Sequence, residues 1–108
     1  MYYTYMLRCE DNSIYTGITT NVNRRMKEHF EKDEKCAKYT KRHNAKKLEA
    51  VWESENRVFA SKLEYHLKKL SKVQKEDLIK DGKKIYKFLG KKIDCDSYKK
   101  YKIKESEL

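Results

Sequence analysis

Apolar and polar positions alternate at the start of the chain. Over residues 2–8, Tyr3, Tyr5 and Leu7 fall on one face and Tyr2, Thr4 and Met6 on the other, which predicts a strand. Glu10, Asp11, Asn12 and Ser13 make a turn cluster, and Ile14 to Ile18 read as a second strand. Residues 2–18 are therefore expected as an antiparallel hairpin. Gly17 inside that strand marks a bulge or a close backbone approach. The period then changes. Asn21 is a good helix N-cap, and Val22, Met26 and Phe30 at i, i+4 and i+8 predict a helix over about 22–32 with that stripe buried. Residues 35–47 show no apolar period. Leu48 to Trp52 predicts a third strand, with Trp52 in the core. Ala60, Leu63, Leu67 and Leu70 mark a second helix. Ser71 with Gln74 is a capping box that opens a third, short helix ending near Asp81-Gly82.

The predicted order β-β-α-β-α-α describes a small α+β domain: a three-stranded, mainly antiparallel sheet flanked by helices. Residues 81–108 form a basic C-terminal extension. It carries Ile85, Tyr86, Phe88, Leu89, Ile93, Tyr98, Tyr101 and Ile103, too much apolar and aromatic content for a disordered tail, so partial docking is expected.

At 108 residues the chain has room for one domain. Its formal net charge of +10 narrows the partners, because that field attracts phosphate backbones, acidic proteins or anionic lipid surfaces. No apolar run approaches the roughly 18 residues of a membrane span. The N-terminus also lacks the basic-then-apolar pattern of a secretory signal. Cys9, Cys36 and Cys95 are odd in number, widely spaced and form no C-x-x-C pair. They fit reduced cytosolic thiols rather than a disulfide frame or a zinc site. The expectation is a cytoplasmic protein with no membrane contact, a monomer or weak dimer.

Spacing brings in the candidate chemistry. Tyr15-Thr16-Gly17 begins ten residues after Tyr5, Arg25 lies ten past Tyr15, and His29 four past Arg25. Glu64 sits on the second predicted helix. Two phenols, a guanidinium, an imidazole and a carboxylate make a set suited to cutting a phosphodiester bond. Tyr15 shares a strand face with Gly17. As a general base its phenol would have to fall from about 10 to about 7, some 4 kcal/mol of differential stabilisation, which nearby cations and a metal can supply. The plainer reading is a sheet tyrosine. Arg25 and His29 at i, i+4 share one helix face, where a guanidinium can clamp a phosphate and an imidazole can orient or deprotonate a neighbour. The plainer reading is a solvated face beside Arg24, Lys27 and Glu28. Glu64 borders the apolar stripe and can ligate Mg²⁺ or Mn²⁺ through oxygen. Ser61-x-x-Glu64 also matches a capping box, but Asn56 is an equally good cap and Ala60 fits the stripe one turn earlier. Residues 35–47 hold Lys35, Lys38, Lys41, Arg42, Lys46 and Lys47, no acid, and interleaved Tyr39 and His43. Phosphate contact with base or sugar stacking and a solvated basic loop both remain open. His66 is expected at the surface or boundary.

Together these residues resemble the GIY-YIG nuclease superfamily, and in particular its small, single-domain bacterial branch. The first motif stands as Tyr3-Thr4-Tyr5 and the second as Tyr15-Thr16-Gly17. Arg25-x-x-x-His29 follows at the family spacing, and Ala60-x-x-x-Glu64-x-x-Leu67-Lys68-Lys69-Leu70-Ser71 looks like the segment with the metal-binding glutamate. Lys38-Tyr39-Thr40 also looks like the small-member pattern. Tyr3 stands at the family's first glycine, Thr4 and Thr16 at its two isoleucines, and no asparagine follows Asn56. The resemblance covers about residues 2–80, with 81–108 outside it. It implies a metal-dependent DNA endonuclease, structure-selective and tied to repair or recombination, in the cytoplasm at the nucleoid. Tyr15 would be the base or orient the attacking water, and Tyr5 would support the nucleophile or the phosphate. Arg25 would bind the scissile phosphate, His29 would assist Tyr15 or the phosphate, and Glu64 would hold one divalent cation, Mg²⁺ or Mn²⁺. Gly17 would let the backbone pack beside them. Apart from the resemblance, the functional reading of the basic stretch would have Lys38, Tyr39, Lys41, Arg42, Lys46 and Lys47 hold the DNA. A separate DNA-binding or regulatory protein is the expected partner class. A non-catalytic nucleic-acid-binding module that keeps the fold is the alternative.

Overall fold

The computed structural model describes residues 1–101. Four antiparallel strands form one sheet in the order β2-β1-β3-β4: β1 (Tyr2–Cys9), β2 (Ile14–Thr19), β3 (Ala45–Ser54) and β4 (Lys99–Tyr101). The helices are α1 (Val22–Phe30), α2 (Lys38–His43), α3 (Arg57–Lys68), α4 (Lys72–Lys80) and α5 (Lys84–Leu89), followed by a 3₁₀ turn at Cys95–Ser97. The α+β class holds, but the three-stranded expectation is corrected to four. Strand β4 pairs with β3 through Val51–Tyr101, Trp52–Lys100 and Glu53–Lys99. A three-residue strand carries no alternation long enough to read in a sequence.

The alternation in β1 does not separate a wet face from a dry one. Tyr5 and Leu7 pack with Met26, Leu48 and Val51 on one side of the sheet. Met6 packs with Ala50, Trp52, Leu63, Leu67 and Leu78 on the other. Thr4 also faces that second side, fully buried, and its hydroxyl donates to the Ala60 carbonyl at 3.0 Å. Both faces are covered because β1 lies inside the sheet, with a layer of helices over each side.

Helix starts follow the local signals. Asn21 caps α1 by accepting from the Arg24 amide, Asn56 caps α3 by accepting from the Phe59 amide, and the Ser71/Gln74 box is formed in both directions. Asn56 thus leaves Glu64 free of any capping duty. Two expectations need correction. Residues 35–47 are not a featureless loop: they hold α2, and β3 begins at Ala45 rather than Leu48. In α1, Phe30 is 40% exposed while His29 is fully buried. The buried positions are Met26 and His29, with Val22 partly buried beside them, because His29 finds hydrogen-bond partners inside that offset the burial of its ring.

Arg8 ties three elements together, bonding Glu49 on β3 at 2.8 Å and Glu76 on α4 at 2.5 Å. The described part of the C-terminal extension joins the core through Ile85, Leu89, Ile93, Cys95 and Tyr98. The Tyr98 hydroxyl donates to the Phe59 carbonyl at 2.7 Å. Ile103 lies outside the described residues. Trp52 is core, and all three cysteines are free and buried.

Candidate active site

Strand β2 is a sheet edge, and Tyr5, Tyr15, Gly17 and His29 meet beside it. Tyr5 on β1 sits directly opposite Gly17 on β2. A Cβ built on Gly17 would lie 2.5 Å from the Tyr5 hydroxyl oxygen and 3.0 Å from the Tyr15 ring. The position therefore requires glycine for space, since the phenol lies across the bare backbone. Gly17 has an ordinary negative φ, so its role is the close approach and not a left-handed turn.

From this point a chain of contacts runs inward. The Tyr5 hydroxyl is 2.7 Å from His29 Nε2, and His29 Nδ1 is 2.8 Å from Thr40 Oγ1. Thr40 Oγ1 donates to the Ala37 carbonyl at 3.0 Å. Tyr5, His29 and Thr40 are all fully buried. Burial, then the nearby Arg25 charge, lowers the His29 pKa to about 4, so the ring is neutral at physiological pH. Burial also pushes the Tyr5 phenol well above its ordinary range. Arg25 pulls against that rise, and the Glu64 charge adds to it. Tyr5 is thus a protonated phenol here, with Arg25 and Glu64 both close enough to influence it.

Tyr15 is half-buried, and its ring packs edge-on to His29 at 5.5 Å and tilted to Tyr5 at 6.2 Å. Among the described residues its hydroxyl makes no hydrogen bond, which leaves it free to meet a water or substrate. His29 bonds Tyr5 and not Tyr15, so its direct assistance goes to the other phenol. Arg25 is held by Glu28 at 2.9 Å and by the Lys35 carbonyl at 2.6 Å. Its other flank borders a polar groove lined by Arg24, Arg57, Thr19, Thr20 and Glu28. Glu64 is partly exposed and paired with Lys68 at 3.4 Å. Among the described residues no group of three or more His, Cys, Asp or Glu side chains is placed to hold a metal. One carboxylate suits Mg²⁺ or Mn²⁺, ions that keep most of their shell from water and substrate phosphate. It does not suit a metal held by protein alone.

The predicted nucleic-acid residues split in two. Lys38, Tyr39, Lys41 and Arg42 line one cavity with His43, all on α2. Lys46 and Lys47 instead line a separate groove with Met26, Lys27 and Phe30. Tyr39 packs against Tyr15 at 5.6 Å and stacks on His43 at 4.1 Å, so an aromatic column leads from the Tyr5–Tyr15 pair to the basic helix. His43 is bound in turn to Asp11 in the hairpin turn. That bond and the adjoining Ser13 contacts hold the Asp11 carboxyl down at about 2, with Ser13 the larger cause.

A family model for the GIY-YIG catalytic domain matches residues 1–77. The chain belongs to the GIY-YIG family. Within it, the chain is similar to UPF0213 proteins. One from Fusobacterium nucleatum is 41% identical over 104 residues, covering 96% of each chain. Another, from Halalkalibacterium halodurans, is 42% identical over 78 residues, covering 72% of this chain and 81% of the relative. A solution NMR structure of a UPF0213 protein from Bacillus halodurans is 41% identical, covers 74% of this chain and 84% of that one, and superposes with a TM-score of 0.47. The chain therefore carries the catalytic domain of a nuclease family. Among the described residues, no helix of this GIY-YIG domain is long and apolar enough to cross a membrane.

Sequence reasoning did not single out Thr40, Arg24 or Arg57 as site residues. Tyr39 and His43, four residues apart, would have shown their shared face had residues 38–43 been read as helical. Thr40 was visible only as the last residue of Lys38-Tyr39-Thr40, and its role was not, because its partner His29 lies on another element.

Proposed function

We propose that this GIY-YIG domain is a metal-dependent endonuclease that hydrolyses DNA phosphodiester bonds, structure-selective and acting in repair or recombination at the nucleoid. The observation that carries the reading is the buried Tyr5–His29 hydrogen bond at 2.7 Å, set beside Arg25 and within electrostatic reach of Glu64. A binding module has no need for a carboxylate facing bound phosphates, where it would repel them. Arg25, pre-oriented by Glu28 and the Lys35 carbonyl, binds the scissile phosphate and meets charge as it develops. Tyr15, with an unengaged hydroxyl, orients the attacking water or, once ionised to the phenolate, takes its proton. Tyr5, kept protonated by burial and aimed at His29, fixes the other side of the nucleophile. Glu64 would hold one divalent cation, Mg²⁺ or Mn²⁺, and the chemistry such an ion would supply there is Lewis-acid stabilisation of phosphate charge. The α2 cavity holds the flanking strand through Lys38, Lys41 and Arg42, and Tyr39 offers a stacking face. A separate DNA-binding or regulatory protein completes substrate selection, and the chain itself works as a monomer or weak dimer.

The test is cleavage of labelled single-stranded, duplex, flap, fork and four-way-junction DNAs with Mg²⁺ or Mn²⁺. Cutting of at least one branched substrate is expected, falling at least about a hundredfold in Glu64→Gln and vanishing in EDTA. No cutting, with tight salt-sensitive binding that Glu64→Gln leaves unchanged or improves, would favour a non-catalytic module or an enzyme missing its partner.

A further inference from the structure

We propose that Thr40 is a positioning residue that decides which nitrogen of His29 carries the proton, and so which way the Tyr5 hydroxyl points. A threonine hydroxyl has one proton and two lone pairs. Thr40 Oγ1 lies 3.0 Å from the Ala37 carbonyl, which can only accept, so the hydroxyl proton is committed there. The same oxygen is 2.8 Å from His29 Nδ1. Two bare lone pairs facing each other at that distance would repel, so Nδ1 carries the hydrogen and donates to Thr40. A neutral imidazole has one N–H. Nε2 is therefore bare, and at 2.7 Å it accepts the Tyr5 O–H. The donors run in a single direction: Tyr5 to His29, His29 to Thr40, Thr40 to the Ala37 carbonyl.

This direction has a chemical consequence. With its proton committed to His29, the buried Tyr5 oxygen has only lone pairs left for its other neighbours, and Arg25 is close enough to influence it. Towards those neighbours it is an acceptor. In the opposite tautomer Nε2–H would donate to the Tyr5 oxygen, the phenolic O–H would swing away, and Tyr5 would become a donor to them. Thr40 makes that opposite state costly, because a buried Nδ1 lone pair would then face an oxygen whose only proton is already used. The anchor comes from backbone as well. Ala37 is the N-cap of α2, and its carbonyl also receives the Lys41 amide at 3.1 Å. The helix that carries Lys38, Lys41 and Arg42 on its outside thus sets the proton order inside.

The catalytic consequence rests on the nuclease reading, but the tautomer does not, and the experiment separates them. Long-range ¹⁵N–¹H correlation spectra of the intact protein near neutral pH report which His29 nitrogen is protonated. Wild type is expected to show protonated Nδ1 and bare Nε2. Thr40→Val, nearly isosteric but without the hydroxyl, should shift the population towards Nε2–H, and Thr40→Ser should restore the wild-type pattern. Protonated Nε2 in wild type overturns the proposal, as does a Thr40→Val spectrum identical to wild type. Should Thr40→Val fail to fold, the wild-type and Thr40→Ser spectra still decide the point. In cleavage assays Thr40→Val should lower kcat about tenfold or more at unchanged KM, with Thr40→Ser near wild type. A matched rise in KM alone would overturn the positioning role. A wild type with the expected tautomer but no cleavage would count against the nuclease reading and leave the proton order standing.

Discussion

His29 enters the fold uncharged, with both ring nitrogens engaged and no exposed surface. Its pKa is about 4 when folded, against about 6.5 in an open chain. Between those values the unfolded chain binds the extra proton and the folded one does not, so stability rises with pH across that window. As pH falls from about 6.5 towards about 4, on the order of 3 kcal/mol should be lost. Urea-unfolding midpoints measured through this range should slope for wild type and flatten for His29→Gln. Glu76, held down at about 2 chiefly by its bond to Arg8, contributes its own loss at lower pH. Comparison with His29→Gln isolates the histidine. A wild-type midpoint flat from pH 6.5 to 4 would mean that the ring is not buried neutral.

At the scale of the element, α2 is where the basic surface and the buried proton chain meet. It is six residues long, has no side-chain cap at Ala37, and buries only Thr40. Asn44, at φ 55°, closes it in the left-handed conformation that asparagine tolerates better than most residues. Basic residues fill its last turn, where they favour the helix C-terminus. Changing Lys38, Lys41 and Arg42 together to Gln should weaken DNA binding. It should also flatten the slope of log affinity against log salt by about two to three, one increment per lost phosphate contact. Fluorescence anisotropy in a Glu64→Gln background reads this without cleavage. A larger loss from Lys46→Gln with Lys47→Gln would move the interface to the other groove. This helix was not legible in the sequence, because one buried residue makes no period. By contrast α3 and α4 were legible, since Asn56, Ser71 and Gln74 act on amides within three residues and Ala60, Leu63 and Leu67 repeat at helical spacing.

For the whole molecule, the family match ends at residue 77 but the packing does not. Leu89 and Ile93 sit against the same cluster as Trp52, Leu63 and Leu67, and β4 covers the edge of β3. The segment beyond residue 80 is expected to be needed for folding. Leu89→Ala should cost about 2–5 kcal/mol of unfolding free energy. Truncation after residue 80 should abolish the cooperative denaturant transition. A truncated chain that unfolds cooperatively and binds DNA like the full one would make the extension an accessory. Its apolar residues were readable as docking material, but not their destination, because a three-residue strand is defined only by the neighbour it pairs with.

By itself the sequence determined the hairpin, the capped helices, the basic field and the family, and it named Tyr5, Tyr15, Gly17, Arg25, His29 and Glu64. Those are properties of neighbours a few residues apart, or of motif order along the chain. Only the tertiary structure decided that His29 is buried and serves Tyr5, that Thr40 stands behind it, and that Lys46 and Lys47 leave the α2 cavity. Such contacts join residues on different elements. Their geometry depends on how strands register and helices dock, and hydrogen-bond direction depends on distances of about 3 Å that no local pattern encodes.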